Sequence, residues 1–251
     1  PPEVLDYTLL HLVADMVDLV RVLGETQAVV VGHDWGAAVA WHCALLRPDL
    51  FRAVAGMSVP YAPPGKVDLL TALAQAGIHD FYMQYFQAPG VAEAELDRDP
   101  RASIRRIHYS GSGDAPPRNT FGRLGSGGLL DNTTEPAQLP AWLSDADLDV
   151  YGAAFAASGF RGGLNWYRNL GRNPALLGPW RGQPIRQPSL FIAGTRDDVL
   201  RFPASQAQLE AYPRTLPGLR GLHLLPDAGH WVQRERAAQV NTLLLDFLRG
   251  L

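Results

Sequence analysis

The chain has 251 residues, 47% of them hydrophobic, and a formal net charge of -3. That length buries a sizeable core and fits one domain with an insertion, and the mixed charge offers neither a basic stripe to a nucleic-acid backbone nor an acidic tail to a basic partner. No apolar run approaches the ~20 residues that span a bilayer, and the single cysteine, Cys43, has no internal partner, so a soluble, cytoplasmic protein in a reducing compartment is expected.

The chain opens on Pro1-Pro2-Glu3-Val4, with no initiating methionine and no signal peptide. Over residues 7–23 the apolar side chains Leu9, Val13, Met16, Val17 and Val20 recur at the spacing of one helical face, and Gly24 ends the pattern. Residues 28–31 are an apolar, β-branched run, the form of a strand covered on both sides in a parallel sheet. A turn at 32–36 leads into a helix over 37–46, where Cys43 is expected to be a buried, inert thiol, and a second apolar strand follows at 53–57. Strand, tight turn, helix, strand is the grammar of an α/β domain.

Between residues 60 and 183 the pattern changes to helical segments and loops, which predicts a helical lid. Residues 110–128, rich in Gly, Ser and Pro, are expected to form a long mobile loop, and Ser144 with Asp147 has the spacing of a capping box. Strand patterns return at 189–193 and 222–225, and the closing helix carries Val240, Leu243, Leu244 and Phe247 on one face. The α/β core is therefore assigned to residues 1–59 and 184–251, and the lid to 60–183. There are no internal repeats.

Gly32-His33-Asp34-Trp35-Gly36 lies between the β-branched strand and a small-residue helix, and it has the small-x-nucleophile-x-small form of a nucleophile elbow. The turn is tight enough to require glycine or nearly so at the flanks. The competing reading is an ordinary aspartate capping the next helix. A carboxylate at the central position selects the chemistry: attack on an sp³ carbon leaves an ester that activated water can hydrolyse, whereas serine would leave an inert ether. Asp34 thus argues for opening an epoxide or displacing a halide and against an esterase.

Hydrolysing that ester needs a base oriented by an acid, in the chain order nucleophile, acid, histidine. Asp197, just past the strand at 189–193, and His230, in Ala228-Gly229-His230-Trp231 after the strand at 222–225, supply that order at the strand ends where open α/β sheets place their sites. Asp198 is adjacent, but the spacing from Ala193-Gly194 favours Asp197. His11, His42, His108 and His223 are expected to be ordinary surface or core residues. The backbone N–H of Trp35 is placed to donate to an oxyanion. The histidines lack ligand spacing, so neither a metal nor a cofactor is expected.

With these contexts Asp34, Asp197 and His230 resemble the α/β-hydrolase superfamily. Two further segments, Phe81-Tyr82-Met83-Gln84-Tyr85-Phe86-Gln87-Ala88-Pro89-Gly90 and Gly159-Phe160-Arg161-Gly162-Gly163-Leu164-Asn165-Trp166-Tyr167-Arg168-Asn169, narrow the resemblance to soluble-type epoxide hydrolases from Tyr7 onward. The resemblance implies an α/β-hydrolase fold with a helical lid, and two lid tyrosines, Tyr82 and Tyr167, that stabilise and protonate the oxygen of an opening epoxide. Nothing in the residues alone prefers Tyr82 to Tyr85. Tyr85, Tyr109 and Tyr151 are read as packing residues. In the family about four strands and a helix precede the segment at Tyr7, on the order of eighty residues, with a His-Gly-x-Pro-like loop that supplies the second oxyanion donor. This sequence has no such loop, its N-terminal strands are missing, and the native protein is expected to be longer.

The expected activity is hydrolysis of a small lipophilic epoxide to a vicinal diol through a hydroxyalkyl ester on Asp34. A haloalkane dehalogenase would use the same nucleophile without needing paired tyrosines, and a non-catalytic receptor on this fold would not need the complete Asp, Asp and His set. A homodimer is compatible with the sequence, and a nucleic-acid partner is not expected.

Overall fold

Four parallel strands, hydrogen-bonded in the order β1-β2-β3-β4, form the sheet: β1 (Ala28–His33), β2 (Phe51–Met57), β3 (Ser189–Gly194) and β4 (Leu219–Leu225). The structure, a computed structural model, describes residues 1–116 and 122–251. The sheet belongs to a unit made of Leu9–Lys66 and Pro174–Leu251, and a second unit is made of Pro1–Thr8 and Val67–Asn173.

Side-chain alternation along β2 and β3 builds two apolar layers. Val54, Phe191 and Ala193 pack with Ala37, Ala40, Trp41 and Ala44 of the helix Trp35–Leu46 on one face. Ala53, Ala55, Leu190 and Ile192 pack with Val232, Val240 and Phe247 on the other, the last two from the closing helix Ala237–Arg249. Both central strands are thus covered on both sides, as apolar runs require. The strand order puts β1 at an edge; Val30 packs with the first layer and Val29 with the second, while Val31 keeps 43% exposure, so the double cover predicted for its apolar run is partial among the described residues. The other edge, β4, starts three residues earlier than the apolar run at 222–225, because the alternating Leu219-Arg220-Gly221 pairs with β3 although its polar residue hides it from a search for apolar runs.

The helix Leu9–Val22 ends as the predicted stop at Gly24 requires. Gly24 adopts φ 75°, its N–H bonds to the Arg21 carbonyl, and Glu25 N–H reaches back to Val20, the paired bonds of a Schellman ending. Cys43 is fully buried in the helix Trp35–Leu46, and burial pushes its thiol up to about 12.

The second unit is helical, with one isolated antiparallel bridge, Phe81 to Arg123, among its described residues. Ser144 and Asp147 exchange the bonds of the predicted capping box: Ser144 Oγ accepts from Asp147 N–H (3.1 Å) and Asp147 Oδ2 from Ser144 N–H (2.9 Å). The predicted loop at 110–128 is shorter at its front. Ser110 and Gly111 finish the helix Pro100–Gly111, and the buried Ser110 hydroxyl accepts from Thr134 N–H, so a local Gly/Ser composition yields to tertiary bonding. At its back Gly122 and Leu124 bond to Tyr82 and Asp80. Residues 117–121 of that predicted loop lie outside the described residues. The unit also takes in Pro1–Thr8, which the sequence assigned to the core: Val4 carbonyl accepts from Asn169 Nδ2 (2.7 Å) and Pro2 carbonyl from Arg161 (3.1 Å).

Candidate active site

β1 ends at His33 and the next helix starts at Trp35, so Asp34 alone makes the turn. Its backbone has φ 53° and ψ -122°, a conformation that costs a residue with a Cβ about 1–3 kcal/mol. Bonds on both sides impose it: Asp34 N–H donates to the Met57 carbonyl at 3.2 Å, and its own carbonyl accepts from Ala37 and Ala38. A Cβ on Gly32 would strike the Gly36 carbonyl, so glycine is required there, whereas a Cβ on Gly36 would meet open space. Only the first of the two flanking glycines is sterically forced. The Asp34 side chain makes no capping bond to the helix.

The three residues expected to act together meet at the ends of β1, β3 and β4. His230 Nε2 lies 3.2 Å from Asp34 Oδ1, and His230 Nδ1 lies 3.2 and 3.3 Å from the two oxygens of Asp197. Asp197 is 1% exposed and also accepts from Val199 N–H, while Asp198 turns away to pair with Arg201. The strand ends approach closely here. A Cβ on Gly194 would strike the Ala228 carbonyl, which accepts from Arg196 N–H, and Asp197 N–H closes a turn onto Gly194.

Burial alone would depress the His230 pKa, but Asp197 and then Asp34 outweigh it and hold the ring well above the ordinary imidazole range. Both ring nitrogens face carboxylates, an arrangement that favours the protonated ring. Asp34 shows the converse: burial opposes its charge, yet the bond and charge of His230 and the Trp35 N–H bring its carboxyl below the usual range.

Two neighbours were not singled out in the sequence. The His230 carbonyl accepts from His33 Nε2 and from Ser58 Oγ, each at 2.7 Å. A carbonyl only accepts, so His33 carries its proton on Nε2; burial and the His230 charge lower its pKa and keep it neutral. His33 could have been suspected from its place in the elbow motif, but Ser58 has no local signal. His42 and His108, expected to be ordinary, bond to the carbonyl one turn back, Ala38 and Ile104 respectively.

Within the helical unit Tyr82 and Tyr167 sit on the short helices Tyr82–Tyr85 and Arg161–Arg168. Their rings meet edge to face at 5.8 Å, with Phe86 against both. Gln87 ties the two helices together by donating to the carbonyls of Met83 (2.7 Å) and Tyr167 (3.0 Å). Beside Tyr167, the buried Arg168 pairs with Glu93 at 2.8 Å and donates to Asn165 and to the Phe86 carbonyl. Tyr85, on the same short helix as Tyr82, is anchored at its hydroxyl. The Tyr85 hydroxyl donates to Glu95 at 3.0 Å, and burial together with that carboxylate pushes it up to about 12, which suits a fixed strut better than a proton donor. Among the described residues no group of three or more His, Cys, Asp or Glu side chains is arranged to hold a metal ion.

Comparison with known proteins identifies the family. The family model of the alpha/beta hydrolase fold matches residues 1–237. Epoxide hydrolase A of Mycobacterium tuberculosis is 42% identical over 257 residues, which cover 100% of this chain and 78% of that protein. The solved epoxide hydrolase from an endophytic Streptomyces is 45% identical with a TM-score of 0.94, covering 100% of this chain and 76% of that one. Epoxide hydrolase A from Mycobacterium thermoresistibile is 43% identical with a TM-score of 0.91, covering 100% and 78%. This chain belongs to the α/β-hydrolase fold family and, within it, to the epoxide hydrolases.

Proposed function

We propose that this protein hydrolyses a small lipophilic epoxide to a vicinal diol without a cofactor, with Asp34 as nucleophile, His230 as base, Asp197 orienting it, and Tyr82 and Tyr167 as proton donors. The observation that carries the reading is one imidazole bridging two carboxylates, one of them on an elbow: 3.2 Å to Asp34 and 3.2 Å to Asp197.

An Asp34 oxygen attacks an epoxide carbon, the ring C–O bond breaks, and the ring oxygen takes a proton from a tyrosine, leaving a hydroxyalkyl ester. Esterification removes the Asp34 charge, one of the two that raise His230. The ring then gives up its proton, which restores the tyrosine, and becomes a base. It takes a proton from water, the hydroxide adds to the ester carbonyl, and Trp35 N–H stabilises the oxyanion. Collapse breaks the acyl C–O bond, one of the water protons leaves on the diol, the other stays on His230, and Asp34 returns as carboxylate. A cytoplasmic setting fits this reading, supported by the lone buried Cys43 and by the fact that no helix of the described residues is long and apolar enough to cross a membrane.

The test is single-turnover mass spectrometry of the His230→Gln variant with styrene oxide and, separately, with a bromoalkane. Asp34 is expected to gain the mass of the intact epoxide. An adduct from the bromoalkane alone would make the protein a dehalogenase, and no adduct from either would favour a receptor.

A further inference from the structure

The loop that carries His230 runs from the end of β4 to the one-turn helix Val232–Glu235, and regular structure does not hold the peptide groups around the ring. Side chains do. Glu235 takes the two amides that flank the histidine, Gly229 N–H on Oε2 at 2.9 Å and Trp231 N–H on Oε1 at 3.1 Å. Between them the His230 carbonyl accepts from Ser58 Oγ and His33 Nε2. Glu235 is itself set by the loop, since its N–H donates to the Trp231 carbonyl at 2.9 Å. Hydrogen bonds to an ionised acceptor are roughly twice as strong as neutral ones, so one carboxylate spanning two amides is a stiff clamp.

Ser58 closes the clamp from the opposite side, and it does so from strained backbone. It is fully buried at φ 67°, where glycine would be relaxed and a Cβ is disfavoured. A side chain kept in such a conformation points to use of its hydroxyl. Ser58 also follows Met57, whose carbonyl accepts from Asp34 N–H, so one turn contacts the backbone of both the nucleophile and the base.

We propose that Glu235, with Ser58 opposite it, is a positioning residue for His230: the pair fixes the peptide frame from which the imidazole spans Asp34 and Asp197. Misplacing a base by about 1 Å costs on the order of a hundredfold in rate, and a single carboxylate holds both flanking amides. This role rests on His230 being the base for ester hydrolysis.

The two half-reactions separate the possibilities. In rapid-mixing experiments with styrene oxide, trapped ester is quantified by mass spectrometry and normalised to folded enzyme. Glu235→Ala is expected to slow ester hydrolysis about 10- to 100-fold while alkylation of Asp34 changes by less than about threefold, so that ester accumulates. Glu235→Gln keeps one acceptor and should recover part of the loss, and it carries the test if the alanine variant does not fold. Ser58→Gly removes the hydroxyl and relaxes the backbone together, so it should slow hydrolysis although it does not weaken the fold; a purely structural Ser58 would leave the rate unchanged. Hydrolysis within about twofold of the parent in the Glu235 and Ser58 variants, with ester still trapped by His230→Gln, would overturn the proposal alone. If His230→Gln also hydrolyses its ester normally, the base assignment falls and the proposal with it.

Discussion

In the sheet-bearing unit the side chains proposed to react hang from cramped backbone: Asp34 at positive φ, Gly32 against the Gly36 carbonyl, Gly194 against Ala228. In the helical unit Tyr82 and Tyr167 sit on short regular helices tied by long side chains, Gln87 across both and Arg168 with Glu93 beside the second. The first arrangement leaves no room for an added atom at Gly32 or Gly194, and the second depends on atoms that long side chains supply. The difference follows from where rigidity comes from. Parallel strand ends deliver fixed backbone at the cost of local strain, whereas helices of one or two turns are marginal alone and need tertiary partners.

The largest effect should come from removing a tie in the helical unit. Arg168 is 3% exposed and its Glu93 partner 13%, so Arg168→Ala leaves a buried carboxylate without its cation and should cost about 3–5 kcal/mol in denaturant unfolding. A cost below about 1 kcal/mol, the level of a surface pair, would mean that the helical unit does not depend on this clamp. Adding a methyl to the sheet-bearing unit should do less to stability: Gly32→Ala is expected to cost about 1–3 kcal/mol and to displace Asp34. Gly36→Ala, the control, should stay within about 1 kcal/mol, because the added carbon meets open space in a helix that favours alanine. Equal damage from both would show that the elbow is not held by that contact.

The smallest effect is in the pH dependence. The folded pKa of His230 is raised above its unfolded value, so its contribution to stability is present below about pH 6.5 and is lost as pH rises through the folded value. Asp34, lowered in the fold, contributes above about pH 4 and loses that contribution as pH falls through its folded value. The stability advantage of the parent over His230→Gln should therefore peak near about pH 5–6 and shrink on both sides, as read by thermal unfolding across pH. A flat difference would mean that the imidazole does not bridge two charges.

Much of this organisation is legible in the amino-acid sequence. The β-branched run before Gly32, the aspartate at the elbow and the spacing from Ala193-Gly194 to Asp197 are local patterns, and local patterns survive in sequence. The capping box at Ser144 and the stop at Gly24 are legible for the same reason. What escaped was built from side chains reaching main chain across long separations. Ser58 to His230 spans 172 residues, and Gln87 to Tyr167 spans 80. Such bonds impose no period and no composition, so Ser58 and the placement of residues 1–8 left no trace, while Glu235 reaches back only four and six residues, to amides that no helix or strand pattern marks. The anchoring of Tyr85 likewise depends on a partner, Glu95, ten residues away.

The burial of Cys43 makes it a built-in reporter. It lies in the same helix that starts beside Asp34, with no exposed surface and a thiol pushed up to about 12. The thiolate is the form that attacks a thiol reagent, so labelling in the native state has to wait for that helix to open. The rate of modification therefore counts how often the support beneath Asp34 comes undone, without adding a single foreign atom to the resting protein.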